Sequence, residues 1–233
     1  MLDSPTLTLE TIRRALAGPR PGLRGQALMS PRDRLDPDLY ARGSLDCRRA
    51  AVLLLLYPHQ GELHLLLTVR PDTLPNHPGQ VAFPGGSRDD ERETVAETAL
   101  REAHEEVGVD PTTVEPLGRL THIYIPPSHF CIQIVVGYTP QRPRWRPNPA
   151  EVAELLEIPL AHFFDHSNWR TTEAFREGEW RTIPYIDLGE HKVWGATAMA
   201  LAEFVTLVEE AQEAEPRDRT SLVGEAEKSR QPR

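Results

Sequence analysis

The residues with the clearest chemical potential are three glutamates, Glu102, Glu105 and Glu106, which follow the Gly85-Gly86 pair. Glu106 is four residues and Glu105 three residues from Glu102, so all three side chains project together if the segment is helical. Grouped like charges repel one another, and the repulsion grows when water is excluded. Oxygen ligands on a rigid helix suit Mg²⁺ or Mn²⁺, and Mg²⁺ commonly combines one or two carboxylates with substrate phosphate oxygens. The spacing therefore predicts a divalent-metal site for phosphate chemistry.

The segment that carries these glutamates has the signals of a helix. Thr94 and Glu97 fit a capping box at its start, and Gly108 fits a left-handed residue at its end. Apolar residues recur between them at helical spacing, namely Val95, Ala96, Ala99, Leu100, Ala103 and Val107. The glutamates lie beside this stripe, so we expect them at the rim of the core. We also expect Arg101 to pair with Glu97, four residues before it.

The same segment resembles the Nudix box, the signature of hydrolases that act on a nucleoside diphosphate linked to another group. Residues 101–109 match the second half of the box, R-E-aliphatic-x-E-E-x-G-aliphatic. Ala103 is small where a bulky aliphatic residue is usual. Six residues separate Gly86 from Glu93, one more than in the common pattern. A solvated charged face is the simpler interpretation of an acidic helix, but the Gly-Gly turn, the Arg-Glu pair and the terminal glycine together disfavour it.

Residues 66–86 resemble the signature of one branch, the coenzyme A pyrophosphatases: L-L-T-x-R, a spacer, then G-x-x-x-F-P-G-G. The matching residues are Leu66, Leu67, Thr68, Arg70, Gly79, Phe83, Pro84, Gly85 and Gly86. Pro75 stands in the spacer, where the family often has a basic residue. The resemblance covers about residues 48–210. It implies hydrolysis of the diphosphate bond of coenzyme A or its derivatives, giving 3′,5′-ADP and phosphopantetheine or its acyl form.

The resemblance also implies roles for individual residues, with Mg²⁺ or Mn²⁺ as the cofactor. Catalysis and metal binding are both assigned to Glu102, Glu105 and Glu106. One of these glutamates also orients or deprotonates the attacking water, and which one stays open. Gly85 and Gly86 are expected to let the backbone approach metal or phosphate, because glycine has no Cβ. Arg70 is expected either to contact a phosphate bidentately or to be a surface charge at a strand end. Glu151 or Glu154 is a further candidate acid.

Two other functions stay open. The enzymatic alternative is hydrolysis of another nucleoside diphosphate derivative, such as ADP-ribose or NADH, and Pro75 is the residue that keeps it open. The alternative from a different class is a Nudix domain that binds a nucleotide without cleaving it. Three intact glutamates argue against that alternative, because a pure sensor does not need all of them.

Composition restricts the partners and the compartment. A net charge of −9 and an isoelectric point near 5.5 argue against a nucleic-acid surface. The longest apolar run, residues 51–57, is too short to span a bilayer. The start of the chain has no basic-then-apolar signal layout, so we expect a cytoplasmic protein. Cys47 and Cys131 are expected to be reduced thiols. The expected partner is a small-molecule nucleotide, and a homodimer stays open.

The order of predicted elements indicates an α/β fold, and the resemblance implies a Nudix-type α/β/α sandwich with a mixed central sheet. We predict an N-terminal extension over residues 1–45, with a short helix at 7–17 and a Gly/Pro-rich linker, a Nudix domain over 46–212 and a disordered tail over 213–233. Strands are predicted at 52–57, 63–69, 80–83, 117–124, 131–138, 183–186 and 192–194. A closing helix is predicted at 197–211, whereas 152–159 could be a strand or a short helix.

Overall fold

The computed structural model describes residues 7–31, 46–74, 77–176 and 178–214. The predicted disordered tail, residues 213–233, begins at the last residue of a helix, Glu213. Its remainder from residue 215 onwards and any contact of Pro75 lie outside the described residues. Among the described residues, no helix is long and apolar enough to cross a membrane.

The centre of the molecule is a mixed sheet of eight strands. Its strands are β1 Arg48–His59, β2 Glu62–Val69, β3 Val81–Ala82, β4 Gly85–Ser87, β5 Glu115–Arg119, β6 Ile123–Ile125, β7 Phe130–Tyr138 and β8 Glu154–Pro159. The main path runs β3-β2-β1-β7-β5, while β4 pairs with β1, β6 with β7 and β8 with β2. The β1–β7 pair is parallel and the other pairs are antiparallel. The predicted strands at 52–57 and 63–69 are confirmed as one hairpin.

Helices cover both faces of this sheet, which confirms the predicted α/β/α sandwich. The helices are α1 Leu9–Ala17, α2 Leu23–Ala27, α3 Val95–Val107, α4 Ala161–Phe164 and α5 Gly195–Glu213. Side chains of β1 alternate between the faces: Leu53 and Leu55 belong to the core beneath α3, whereas Leu54 and Leu56 belong to the core beneath α5. This double burial explains why β1 is apolar throughout its central part.

A second sheet of three strands contains β9 Trp169–Arg176, β10 Glu179–Asp187 and β11 Lys192–Trp194. The predicted hairpin between β10 and β11 is confirmed, while β9 was not predicted. The single strand predicted at 117–124 is instead two strands, β5 and β6, because residues 120–122 turn away from regular pairing with β7. The open region at 152–159 is a strand, β8.

The N-terminal segment packs into the main core. Ile12 and Met29 are almost fully buried in the cluster that also contains α5. The Gly/Pro-rich stretch predicted to be a linker contains α2, and that part of the prediction is wrong. Gly25 allows α2 to approach α5 closely, since a Cβ there would lie 2.9 Å from the Cα of Glu203. The Gln26 amide, buried in the same contact, donates a hydrogen bond of 2.8 Å to Glu203.

Cys47 and Cys131 form a disulfide, so the prediction of two reduced thiols is wrong. Their Cα atoms are 5.6 Å apart although 84 positions separate them in sequence. The parallel register of β1 and β7 places Arg49 beside Cys131 and so brings Cys47 within bonding distance. Sequence spacing alone did not indicate this pairing, because it depends on which strands are neighbours.

Candidate active site

Helix α3 carries the three glutamates and begins and ends where the sequence predicts. The Thr94 hydroxyl accepts a hydrogen bond from the Glu97 amide, and the Glu97 carboxylate accepts one of 2.7 Å from the Thr94 amide. Gly108 adopts the left-handed conformation with φ of 74°. The predicted capping box and glycine terminus are therefore confirmed, and the helix is held in register against β1.

Arg101 organises the acidic side chains at the start of the site. The expected pair with Glu97 is wrong, because the Glu97 carboxylate is used in the capping box. The guanidinium instead contacts Glu93 at 2.8 Å, Glu102 at 2.8 Å, Glu105 at 3.4 Å and the Ser87 carbonyl at 3.0 Å. Its hydrogen bond with Glu93 is the main reason that the pKa of this carboxyl falls to about 2. Arg101 therefore joins α3 to the loop that precedes it.

Glu106 is the most buried of the three glutamates, with 4% of its surface exposed. One carboxylate oxygen accepts a hydrogen bond of 3.3 Å from the Gly85 amide. The pKa of Glu106 is raised to about 8, mainly by burial. The negative charges of Glu151 and, to a smaller extent, Glu102 also raise this pKa. A carboxylate that is this costly to ionise alone is a strong candidate for a cation ligand.

Glu102 lies against the Gly-Gly turn. A Cβ on Gly86 would lie 2.4 Å from a Glu102 carboxylate oxygen, so a larger residue there would displace this carboxylate. Gly85 is constrained as well, because a Cβ there would lie 2.4 Å from the Ala51 carbonyl oxygen. Burial is also the main reason that the pKa of Glu102 is raised. Gly86 thus leaves space for the Glu102 carboxylate, and Gly85 allows strand β4 to lie close to β1.

The other two predicted site residues lie at different depths. Glu105 has a side chain that is 51% exposed, and its ion pair is the 3.4 Å contact with Arg101. Arg70 follows β2, and its charge acts to lower the pKa of Glu106 against the larger effect of burial. The Arg70 Nε atom is buried and has no hydrogen-bond partner among the described residues. Arg70 therefore retains hydrogen-bonding capacity beside the buried glutamate.

Glu151 reaches the site from a loop that returns over the end of α3. The Asn148 amide donates a hydrogen bond of 2.8 Å to the Glu106 carbonyl, and the Arg146 amide donates one of 2.9 Å to Val107. The Asn148 side chain in turn donates to the Glu151 carboxylate at 3.0 Å. Glu154, the other late acid considered from the sequence, lies 3.0 Å from His191 and has no such connection to α3.

A second anchor holds the same loop against the sheet. Arg142 binds both carboxylate oxygens of Glu157, at 2.8 and 2.6 Å, and the Tyr57 hydroxyl donates to Glu157 at 2.9 Å. Burial alone would raise the pKa of Glu157, but these partners lower it to about 2. The Trp145 ring packs edge-on against Tyr57. The loop that carries Asn148 and Glu151 is thus fixed at both ends.

The donor set fits a hard divalent cation. Glu102 and Glu106 provide carboxylate oxygens on one side of a rigid helix, and Gly86 leaves space at Glu102. Their raised pKa values show that both carboxylates would gain from a positive charge. In the described part of the chain, no group of three His, Cys, Asp or Glu side chains is arranged to enclose a metal ion.

Known proteins share both the sequence pattern and the fold. The NUDIX domain family matches residues 48–182. The mitochondrial coenzyme A diphosphatase NUDT8 of Homo sapiens is 37% identical, over 72% of this chain and 79% of the relative. An uncharacterized Nudix hydrolase, NudL of Pectobacterium atrosepticum, is 40% identical over 65% of this chain and 78% of its own length. The crystal structure of a NUDIX hydrolase from Alicyclobacillus acidocaldarius superposes with a TM-score of 0.50 at 20% identity, covering 72% of this chain and 96% of that one.

Proposed function

Because this chain belongs to the Nudix hydrolase family and is a pyrophosphohydrolase, we propose that it cleaves the diphosphate bond of coenzyme A or its derivatives with Mg²⁺ or Mn²⁺. The products would be 3′,5′-ADP and phosphopantetheine or its acyl form. The observation that carries the metal-dependent part is the burial of Glu106 beside Glu102 beneath the Gly85-Gly86 turn.

Two observations support coenzyme A as the substrate. The segment from Leu66 to Gly86 resembles the coenzyme A pyrophosphatase signature, and it leads directly into the site through β3 and β4. A relative that is 37% identical bears the name coenzyme A diphosphatase. ADP-ribose or NADH remains the alternative substrate, because Pro75 stands where the coenzyme A pyrophosphatases often have a basic residue.

We assign each of these side chains a separate role in diphosphate hydrolysis. Glu102 and Glu106 would hold a divalent cation, with Glu105 as the third predicted ligand. Such a cation, when bound, neutralises phosphate oxygens and acidifies a water molecule. Arg70, whose charge lies near Glu106, would contact a substrate phosphate with its guanidinium. Glu151, which accepts a hydrogen bond from the Asn148 side chain, would accept a proton from the attacking water.

Product analysis with a substrate panel tests the proposal. The protein is incubated with Mg²⁺ or Mn²⁺ and with coenzyme A, ADP-ribose or NADH, and the products are separated by mass. We expect 3′,5′-ADP and phosphopantetheine to form fastest. A preference of about tenfold or more for ADP-ribose or NADH would exclude coenzyme A as the main substrate.

Glu106→Gln is the matched variant for the metal-dependent part. It keeps the side-chain size but removes the charge, so we expect the fold to persist and turnover to fall by about two orders of magnitude or more. Circular dichroism and thermal unfolding check the fold, and initial rates check the activity. Unchanged turnover would contradict the metal-ligand role. No hydrolysis of any panel member by the native protein, together with tight nucleotide binding, would instead favour the non-catalytic alternative.

A further inference from the structure

A small pocket lies at the start of β1, close to the first turn of α3. Its volume is about 100 Å³. It is lined by Arg49, Ala50, Val95, His122, Cys131 and Gln133. Arg49 is next to Cys131 in the parallel β1–β7 register, and the disulfide to Cys47 holds this end of β1 in place. The pocket walls are thus fixed by strand pairing and by a covalent bond.

Arg49 and His122 are the basic residues that line this pocket, and Arg88 is the cross-strand neighbour of Arg49. Ala50 pairs with Ser87, and the Arg88 amide donates to the Arg49 carbonyl, so Arg49 and Arg88 are opposite one another on adjacent antiparallel strands. Like charges directly opposite each other in a sheet are destabilising. His122 faces the same pocket, and its pKa is lowered by burial and then by the charge of Arg49. A bound anion would reduce the repulsion between these positive charges.

The acidic groups nearby are engaged elsewhere. Glu203 is fully buried and accepts hydrogen bonds from the Thr121 amide and from Gln26. The glutamates and aspartate at the start of the α3 region surround Arg101. Within the described ranges, Arg49 forms no ion pair, although its side chain is in a structured part of the chain. The Arg49 side chain is exposed, so an added ligand can reach its guanidinium.

The pocket is at a suitable distance from the predicted diphosphate site. Arg49 is two residues from Ala51, which pairs with Gly86, so it is displaced by roughly 7 Å along β1. Val95 is seven residues before Glu102, which is two turns or roughly 10 Å along the same face of α3. In coenzyme A, six covalent bonds separate the phosphorus on the ribose 5′-oxygen from the phosphorus of the 3′-phosphate. Six such bonds span roughly 7 Å when extended, which is comparable to the displacement along β1.

We propose that the Arg49 pocket binds the 3′-phosphate of coenzyme A, and that Arg49 determines the preference for substrates that carry this group. A guanidinium matches a phosphate bidentately, and Arg49 is the arginine that lines this pocket. The inference rests on the proposed coenzyme A diphosphatase activity, whose diphosphate must lie at Glu102 and Glu106. It adds a recognition site that is remote from the bond that breaks.

The test compares coenzyme A with 3′-dephospho-coenzyme A, which lacks only this phosphate. For Arg49→Ala, we expect KM for coenzyme A to rise about tenfold or more, with KM for the dephosphorylated substrate unchanged. Arg49→Lys should restore part of the preference. Calorimetry with 3′,5′-ADP and 5′-AMP gives an independent readout, because Arg49→Ala should abolish the preference for 3′,5′-ADP.

Arg48→Ala is the matched control. Arg48 is the preceding residue, but its guanidinium lies 4.2 Å above the Phe130 ring. The control should leave the ratio of the two KM values unchanged. An equal effect of Arg49→Ala on both substrates, or no effect on either, would overturn the 3′-phosphate site while leaving the diphosphatase activity intact. Failure of the native protein to hydrolyse either substrate would instead overturn the proposed function, and the recognition site with it.

Discussion

At the scale of single residues, the protein keeps a carboxylate in an environment that opposes its ionisation. Glu106 is nearly inaccessible, and Glu151 and Glu102 add negative charge around it. The Gly85 amide and Arg70 act in the opposite direction but do not outweigh burial. This residue therefore connects the stability of the metal-free protein to its function, because the same environment that penalises the charge favours a bound cation.

The raised pKa of Glu106 predicts how the stability of the metal-free protein changes with pH. In the folded state the pKa is about 8, compared with the ordinary value of 4.5. Between these two values the folded protein binds the proton and the unfolded chain does not, so this residue makes the free energy of unfolding decrease as pH rises. Each unit of pKa difference corresponds to about 1.4 kcal/mol. Urea unfolding in EDTA from pH 5 to pH 8.5 measures the slope.

Glu106→Gln supplies the control, because glutamine has no charge to bury. Its metal-free unfolding free energy should exceed that of the native protein at pH 8 and should depend less on pH over the same range. Added Mg²⁺ should stabilise the native protein more than the variant at pH 8. Parallel pH profiles for the two proteins would show that Glu106 ionises without penalty.

At the scale of elements, three segments of the chain form the site. Strand β4 brings the glycine turn to α3, and α3 presents the glutamates. The loop over residues 140–152 then closes over the helix end through Asn148. The loop has its own ionic anchor in Arg142 and Glu157. Its position therefore depends on residues outside the predicted site.

Arg142→Gln should displace the loop and lower kcat by about tenfold, because small misplacement of a proton-accepting group has large kinetic effects. The Asn148 amide, now hydrogen-bonded to the Glu106 carbonyl, should exchange with solvent deuterium faster. Exchange mass spectrometry and steady-state rates are measured on the same preparation. Arg144→Gln is the matched control, since Arg144 is an exposed arginine of the same loop. A fall in kcat without faster exchange at Asn148 would contradict the positioning role.

At the scale of the whole molecule, distant parts of the chain are tied into one core. Helix α1 contributes Ile12, and the turn after α2 contributes Met29, to the cluster beneath α5. The Cys47–Cys131 disulfide joins the start of β1 to the start of β7. Disulfides are typical of oxidising compartments, whereas the predicted cytoplasmic location would favour reduced thiols. The cytoplasmic location stays a prediction.

Removing the disulfide should destabilise the protein by about 2–4 kcal/mol, because 84 positions separate the two cysteines and the link restricts the unfolded chain. The comparison is urea unfolding of the native protein and of the Cys47→Ser, Cys131→Ser double variant, both without reductant. Alkylation followed by mass spectrometry confirms the absence of free thiols in the native sample. Equal unfolding midpoints would mean that the link adds no stability.

The sequence by itself determined the elements whose signals are local. The capping box, the glycine terminus and the apolar spacing of α3 are encoded within fifteen consecutive positions, from Thr94 to Gly108, and the structure confirms them. The burial of β1 on both faces and the β10–β11 hairpin are likewise readable from neighbouring residues. The family pattern in residues 66–109 identified the class of chemistry for the same reason.

Only the tertiary structure decided which distant residues meet. Arg101 pairs with Glu93 and not with Glu97, because Glu97 has a competing local partner. The closeness of Glu151 to Glu106 and the bond between the two cysteines depend on chain segments that are far apart in sequence. Burial has the same origin: Glu105 and Glu106 are consecutive, yet one is half exposed and the other nearly inaccessible. Helical spacing specifies the direction of a side chain, whereas its depth, and hence its pKa, depends on what the rest of the chain packs against it.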